Sequence, residues 1–246
     1  MLGTGSGVIL LPSLILIFGS NLDAASSLRL AAGTTMATMA VGAVSGALAQ
    51  YRVGHVDVRL FGITVGPYVV GALGGAWISR SMPEGALAIY VSVLILAVAL
   101  RMLFAPGARP TTERSYLEHL TEMRIVLTLI AMGCSIAGIA SGIFAIPYLL
   151  RFAAPVRTVI GTSTACAACY AGAGALGYLI AGIDDPGLPA GSLGYIYLPA
   201  FAVMATVATI VTPIGVRLAG RIREDLLRRC FAVFLLVAAA AVAFAH

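Results

Sequence analysis

Apolar residues recur along this chain in long runs separated by short polar breaks. Each run approaches the roughly twenty residues that an α-helix needs to cross about 30 Å of hydrocarbon. The runs lie near residues 2–19, 28–50, 58–79, 85–104, 125–150, 158–182, 193–216 and 227–245. The pattern predicts an all-α polytopic membrane protein, because helices satisfy every backbone polar group within lipid. Residues 105–123, with Pro106, Pro110 and interspersed Glu and Arg, form the longest polar stretch and divide the chain in two.

The two halves resemble each other. GTGSGVILLP (3–12) aligns without gaps to GIASGIFAIP (138–147), pairing Gly3/Gly138, Ser6/Ser141, Gly7/Gly142 and Pro12/Pro147. Residues 33–54 align in the same way with 161–182. This pairs Gly33/Gly161, Thr34/Thr162, Ala37/Ala165, Gly46/Gly174, Ala47/Ala175, Leu48/Leu176 and Gly54/Gly182. The expected organisation is a first repeat over 1–104, a polar linker over 105–123 and a second repeat over 124–246. Each repeat would hold four segments related by pseudosymmetry. The second copy has an apolar lead-in, residues 124–137, before its glycine element, whereas the first begins almost at that element. The first segment is therefore expected to be truncated at its N-terminus, most simply by a late start codon.

Glycine and proline break helices, and they concentrate in segments one and five. If both segments are broken and re-entrant, Arg52, Arg59, Arg101, Arg109, Arg114, Arg124, Arg151, Arg157, Arg217, Arg221, Arg223, Arg228 and Arg229 share one side. Arg29 and Arg80 then lie opposite. That division follows the positive-inside rule and makes the repeats inverted. A plain eight-span bundle with parallel repeats remains open at this stage.

Composition narrows the function. Of the 246 residues, 60% are hydrophobic and 10% charged, with a mean hydropathy of +1.01. All 15 basic residues are arginine, and the net charge of +5 suits basic cytoplasmic loops better than nucleic-acid binding. The chain does not open like a signal peptide, since no positive charge precedes the first apolar run. Cys134, Cys166, Cys169 and Cys230 lie in or beside apolar segments and are read as small buried hydrophobes. His55 and His119 are read as solvated loop residues, and 217–229 as an interfacial segment against anionic lipid.

No Asp, Glu, His or Arg occupies the middle of a segment. Proton relays and ion-coupled pumps usually carry such groups, so carboxylate-driven antiport and intramembrane metal catalysis are disfavoured. No HExxH, dinucleotide or GxSxG pattern is present, so no enzyme activity and no cofactor or metal are expected. What remains polar at depth is hydroxyl and backbone. A broken helix frees N–H groups at an N-terminus that carries about half a positive charge, which suits an anion. The candidate ligands are Gly5, Ser6, Gly7, Thr34 and Thr35 in the first half. In the second they are Ala140, Ser141, Gly142, Thr162 and Ser163. Pro12 and Pro147 are expected to fix the breaks. The bland alternative is that these small residues only pack helices together. That reading is preferred for Gly42–Gly46, Thr38 and Ser45.

On these residues the sequence resembles the TauE/SafE family of sulfite and organosulfonate exporters. Gly3, Gly5, Ser6, Gly7 and Pro12 stand at its first glycine-rich motif, and Gly33, Thr34 and Thr35 at its threonine element. Gly138, Ser141, Gly142 and Pro147, then Gly161, Thr162 and Ser163, repeat the pattern. RVGHVDVRL (52–60) is similar to the family's short basic loop. The chain departs from the motif at Ser6 and Ala140. The resemblance implies an inner-membrane exporter of small sulfur-containing anions, with lipid and substrate as its partners and a homo-oligomer left open. An anion channel and a non-transporting membrane subunit are the alternatives.

Overall fold

The computed structural model describes residues 7–18, 24–104, 119–152 and 155–219. The order is α1 (Gly7–Phe18), α2 (Ala24–Arg52), α3 (Val58–Ser81), α4 (Glu84–Phe104), α5 (Leu120–Ile136), α6 (Gly142–Leu149), α7 (Val156–Gly182), β1 (Ser192–Leu193), β2 (Ile196–Tyr197) and α8 (Leu198–Ala219). Stretches Ser26–Arg52, Val58–Ser81 and Val156–Gly182 are long and apolar enough to cross a membrane. This is a multi-pass helical membrane protein. The apolar run near 227–245 lies outside the described residues.

One element follows the sequence reading and two differ from it. The run at 125–150 is broken, as expected of segment five, because Gly138 adopts φ +68° and ends the first of its two helices. Helix α5 begins at Leu120, inside the stretch read as linker. The run at 193–216 opens with an antiparallel hairpin, Ser192 against Tyr197 and Leu193 against Ile196, before α8 starts. An apolar tally cannot separate a two-residue strand from the helix that follows it.

Helices α2 and α7 form the centre and run antiparallel. Gly174 leaves room for the Met36 sulfur at 3.0 Å, and Gly46 for the Thr164 methyl at 3.3 Å, both measured from an added Cβ. These positions exchange under the sequence alignment, Met36 with Thr164 and Gly46 with Gly174. Gly42, by contrast, has nothing within 4 Å of such a Cβ. Helix α3 runs parallel to both α5 and α7. Gly71 and Gly75 let the α5 backbone approach closely, as small residues do between membrane helices. Ser135 Oγ then donates to Ala72 O at 2.7 Å across that contact.

The N-terminus of α3 is capped by Asp57, whose Oδ1 accepts from the N–H of Arg59 at 2.8 Å and of Leu60 at 3.0 Å. Asp57→Ala is expected to lower stability by about 1 kcal/mol, the usual cost of losing an N-cap. A thermal-unfolding comparison in detergent, with Asp57→Asn as the conservative partner, checks it.

Candidate anion site at an interrupted helix

The chain doubles back at the α5–α6 break. His119, at the start of α5, packs against Phe152, just past α6, with ring centroids 6.3 Å apart. Between them the tip, residues 137–141, is buried inside protein. Such irregular backbone is tolerated at membrane depth only when it is buried or lines a cavity.

Neighbouring helices hold the tip from two sides. A Cβ at Gly138 would fall on the Cα of Ala32, so α2 touches the break directly. From α7, Tyr170 Oη donates to Ile139 O at 2.8 Å. Tyr178 Oη donates to Ser135 O at 2.9 Å and Ile136 O at 2.8 Å. Ile136 O is a carbonyl that a terminating helix leaves without an intrahelical donor, whereas Ser135 O also accepts the N–H of Gly138 at 2.9 Å. Tyr178→Phe should therefore cost about 1–3 kcal/mol by stranding one buried acceptor, Ile136 O. Tyr51→Phe, at an exposed position, should leave the melting temperature unchanged.

Opposite those carbonyls, α6 begins at Gly142; the N–H groups of Phe144 and Ala145 turn back to Ser141 O, and those of Gly142 and Ile143 have no intrahelical acceptor by position. Ser141, one residue earlier, is 1% exposed, and its Oγ has no hydrogen-bond partner among the described residues. Ser163 Oγ and Thr35 Oγ1 are likewise buried and unpartnered. Tyr68 of α3 faces Ser163 across the α3–α7 contact, yet neither hydroxyl meets hydrogen-bond geometry with a partner. The Tyr68 ring packs edge-on to Tyr170, with centroids 6.2 Å apart, which links Ser163 through Tyr170 to the tip. Thr64 Oγ1 and Cys166 Sγ lie 3.2 Å apart beside this cluster.

The remaining candidates do other work. Thr34 Oγ1 donates to Leu30 O at 2.6 Å and accepts from Tyr197 N at 3.0 Å. Thr162 Oγ1 accepts from Asp57 N at 3.0 Å. Pro12 and Pro147 each occupy the sixth position of a helix, α1 and α6, whose first residues are the aligned Gly7 and Gly142. The described break is made at Gly138, and Pro147 follows it. Gly5 and Ser6 lie outside the described residues. Tyr68, Tyr170 and Tyr178 were missing from the sequence reading, although buried tyrosines in an apolar helix require partners for their hydroxyls.

The His55 loop, read as solvated, is docked, and so is the β1–β2 hairpin. His55 places its carbonyl against Gly161 and its Nδ1 3.1 Å from Gln50 Oε1. In the hairpin, burial first and then the Asp185 carboxylate raise the Tyr195 phenol above its ordinary range. Tyr195 Oη donates to Asp185 Oδ2 at 2.7 Å.

The family model described as "Sulfite exporter TauE/SafE" matches residues 1–242. The chain belongs to the TauE/SafE family. It is 27% identical over 244 residues to a Haemophilus influenzae protein named "Probable membrane transporter protein", covering 97% of this chain and 90% of that one. No solved structure matches the chain. The TauE/SafE chain is thus a membrane transporter, which its interrupted, protein-buried helix tip suits.

Proposed function

We propose that this transporter exports small sulfur-containing anions, sulfite, sulfonates or related oxyanions, from the cytoplasm. The observation that carries the proposal is the buried α5–α6 tip, where the Ser141 hydroxyl, without a partner among the described residues, stands at a helix N-terminus. Thr35, Ser141 and Ser163, with the amides of Ala140 and Gly142, hold the oxyanion, and Tyr68 adds a fourth hydroxyl. Gly5, Ser6 and Gly7 complete the set from the first half, and the anion sits between the halves. Amides and hydroxyls replace its hydration shell while the absence of a fixed positive charge keeps it releasable.

Two inverted four-segment repeats, with segments one and five re-entrant, suit the antiparallel α2–α7 pair. Among the described residues, the ends of α2, α4, α6 and α8 and the starts of α3, α5 and α7 gather at one end of the bundle. They carry Arg52, Arg101, Arg151, Arg217, Arg59, Arg124 and Arg157. Arg29 and Arg80 belong to the other end, where Arg29 Nη2 donates to Met82 O at 2.7 Å. The arginine-rich end faces the cytoplasm by the positive-inside rule and concentrates anions at its entrance. Outward movement of each negative charge gains about 2.3 kcal/mol per 100 mV, so a dianion gains ~4.6 kcal/mol and needs no coupling ion.

Reconstitution into liposomes with sulfite, sulfoacetate, sulfate and chloride tests this reading. Saturable flux of sulfite or sulfoacetate above chloride is expected. Chloride flux equal to theirs, without saturation, would show a channel instead.

A further inference from the structure

The aligned Gly-Thr pairs, Gly33–Thr34 and Gly161–Thr162, grip loops in the same way. At the first, a Cβ on Gly33 would strike the carbonyl of Tyr195, and Thr34 Oγ1 accepts the N–H of Tyr197 two residues on. At the second, a Cβ on Gly161 would strike the carbonyl of His55, and Thr162 Oγ1 accepts the N–H of Asp57, again two residues on. The gripped loops match as well. Gly54 (φ +76°) and Gly194 (φ +54°) each turn the chain in the left-handed region that favours glycine, and a helix begins four residues later, at Val58 or Leu198. Gly194 is therefore the structural counterpart of Gly54, and it sits in the turn of the β1–β2 hairpin.

The exchange is reciprocal. The loop following α2 closes on α7, and the loop following α7 closes on α2. Because α2 and α7 are antiparallel, the two closures sit at opposite ends of the bundle. The Asp57 loop lies at the arginine-rich end, and the Tyr197 loop at the end of Arg29 and Arg80. Each threonine that holds a loop is followed directly by an unpartnered buried hydroxyl, Thr35 or Ser163. A ligand at the candidate site thus lies one residue from either closure.

We propose that the loops Gly54–Asp57 and Gly194–Tyr197 are the two gates of the transport path, each latched by a Gly-Thr pair and released separately. This rests on the transporter reading above. Each latch pairs one backbone contact made close by a glycine with one hydrogen bond to a threonine hydroxyl, while the Tyr197 loop stays anchored to its own helix α7, where Tyr195 N donates to Tyr178 O at 3.2 Å. The glycine at the foot of each loop supplies the hinge. The two threonines act by positioning the loops, and the neighbouring Thr35 and Ser163 meet the anion.

The alignment also supplies matched reporters one turn inward from each latch, the native Cys166 thiol and Thr38, both buried. In full-length protein with Cys134, Cys169 and Cys230 replaced by serine, Cys166 reports on the Asp57 loop. Thr38→Cys with Cys166→Thr reports on the Tyr197 loop. Vesicles of either orientation are treated with a membrane-impermeant maleimide. Gly161→Ala pushes its loop off and should raise Cys166 labelling about tenfold from the arginine-rich side only. Gly33→Ala should do the same for Thr38→Cys from the opposite side only. Thr162→Val and Thr34→Val remove the hydrogen bond alone and should shift labelling in the same directions where an alanine variant fails to fold. Equal increases from both sides, or unchanged labelling in folded protein, would overturn the gates. Wild-type flux measured in parallel separates the two ideas. Side-specific labelling without anion flux would remove the transporter reading and keep the hinged loops.

Discussion

Ser163→Ala and Ser141→Ala are each expected to raise the half-saturating concentration of the transported anion by about ten- to a hundredfold. That range corresponds to losing one hydrogen bond to a charged group, about 1.5–3 kcal/mol. Both hydroxyls are buried without a partner, so removing either leaves no protein group stranded. The melting temperature should hold or rise slightly while transport falls. That separation is what distinguishes a ligand from a packing residue, since loss of packing would lower both together. Initial rates in liposomes across a sulfite concentration series, beside thermal unfolding of the same preparations, give the answer. Unchanged saturation in both variants would return these serines to the role of helix spacers.

Gly138→Val is expected to have the largest effect on folding. The position is left-handed, which costs a side chain roughly 1–2 kcal/mol, and its Cβ would fall on the Ala32 backbone. Overpacking adds about 1–3 kcal/mol, and together these are a large part of the 5–15 kcal/mol that holds a typical domain. Folded yield and melting temperature should drop sharply. Gly42→Ala is the matching control, because that glycine faces open space within a helix. It should be neutral or stabilising by up to about 1 kcal/mol, the helix-propensity gain. Similar losses at both positions would mean that the break is not specifically supported.

The contrast between these glycines shows how far sequence reading reaches. The dense glycine and serine at 138–142 marked a break correctly, because Gly138 takes the left-handed backbone that ends a helix. The same composition at Gly42–Gly46 marks a contact at one residue and open surface at the other. The list of candidate hydroxyls divides only in three dimensions. Thr34 and Thr35 are adjacent and chemically identical, yet one holds a loop and the other has no partner. That distinction depends on a hairpin that an apolar run conceals. Tyr170 and Tyr178, which donate to carbonyls of the break, belong to no motif that singles them out in the sequence. Their spacing of two helical turns on one face was the available signal.

The central claim is that the anion rests at the tip between α5 and α6, against α2 and α7. An experimental structure of the full chain soaked with selenite, a heavier stand-in for sulfite, tests it most directly, because selenium can be located by its anomalous scattering. The expected peak lies among the amides of Ala140–Gly142 and the hydroxyls of Ser141 and Ser163. A selenium site elsewhere in the bundle, in protein that still transports sulfite, would contradict it.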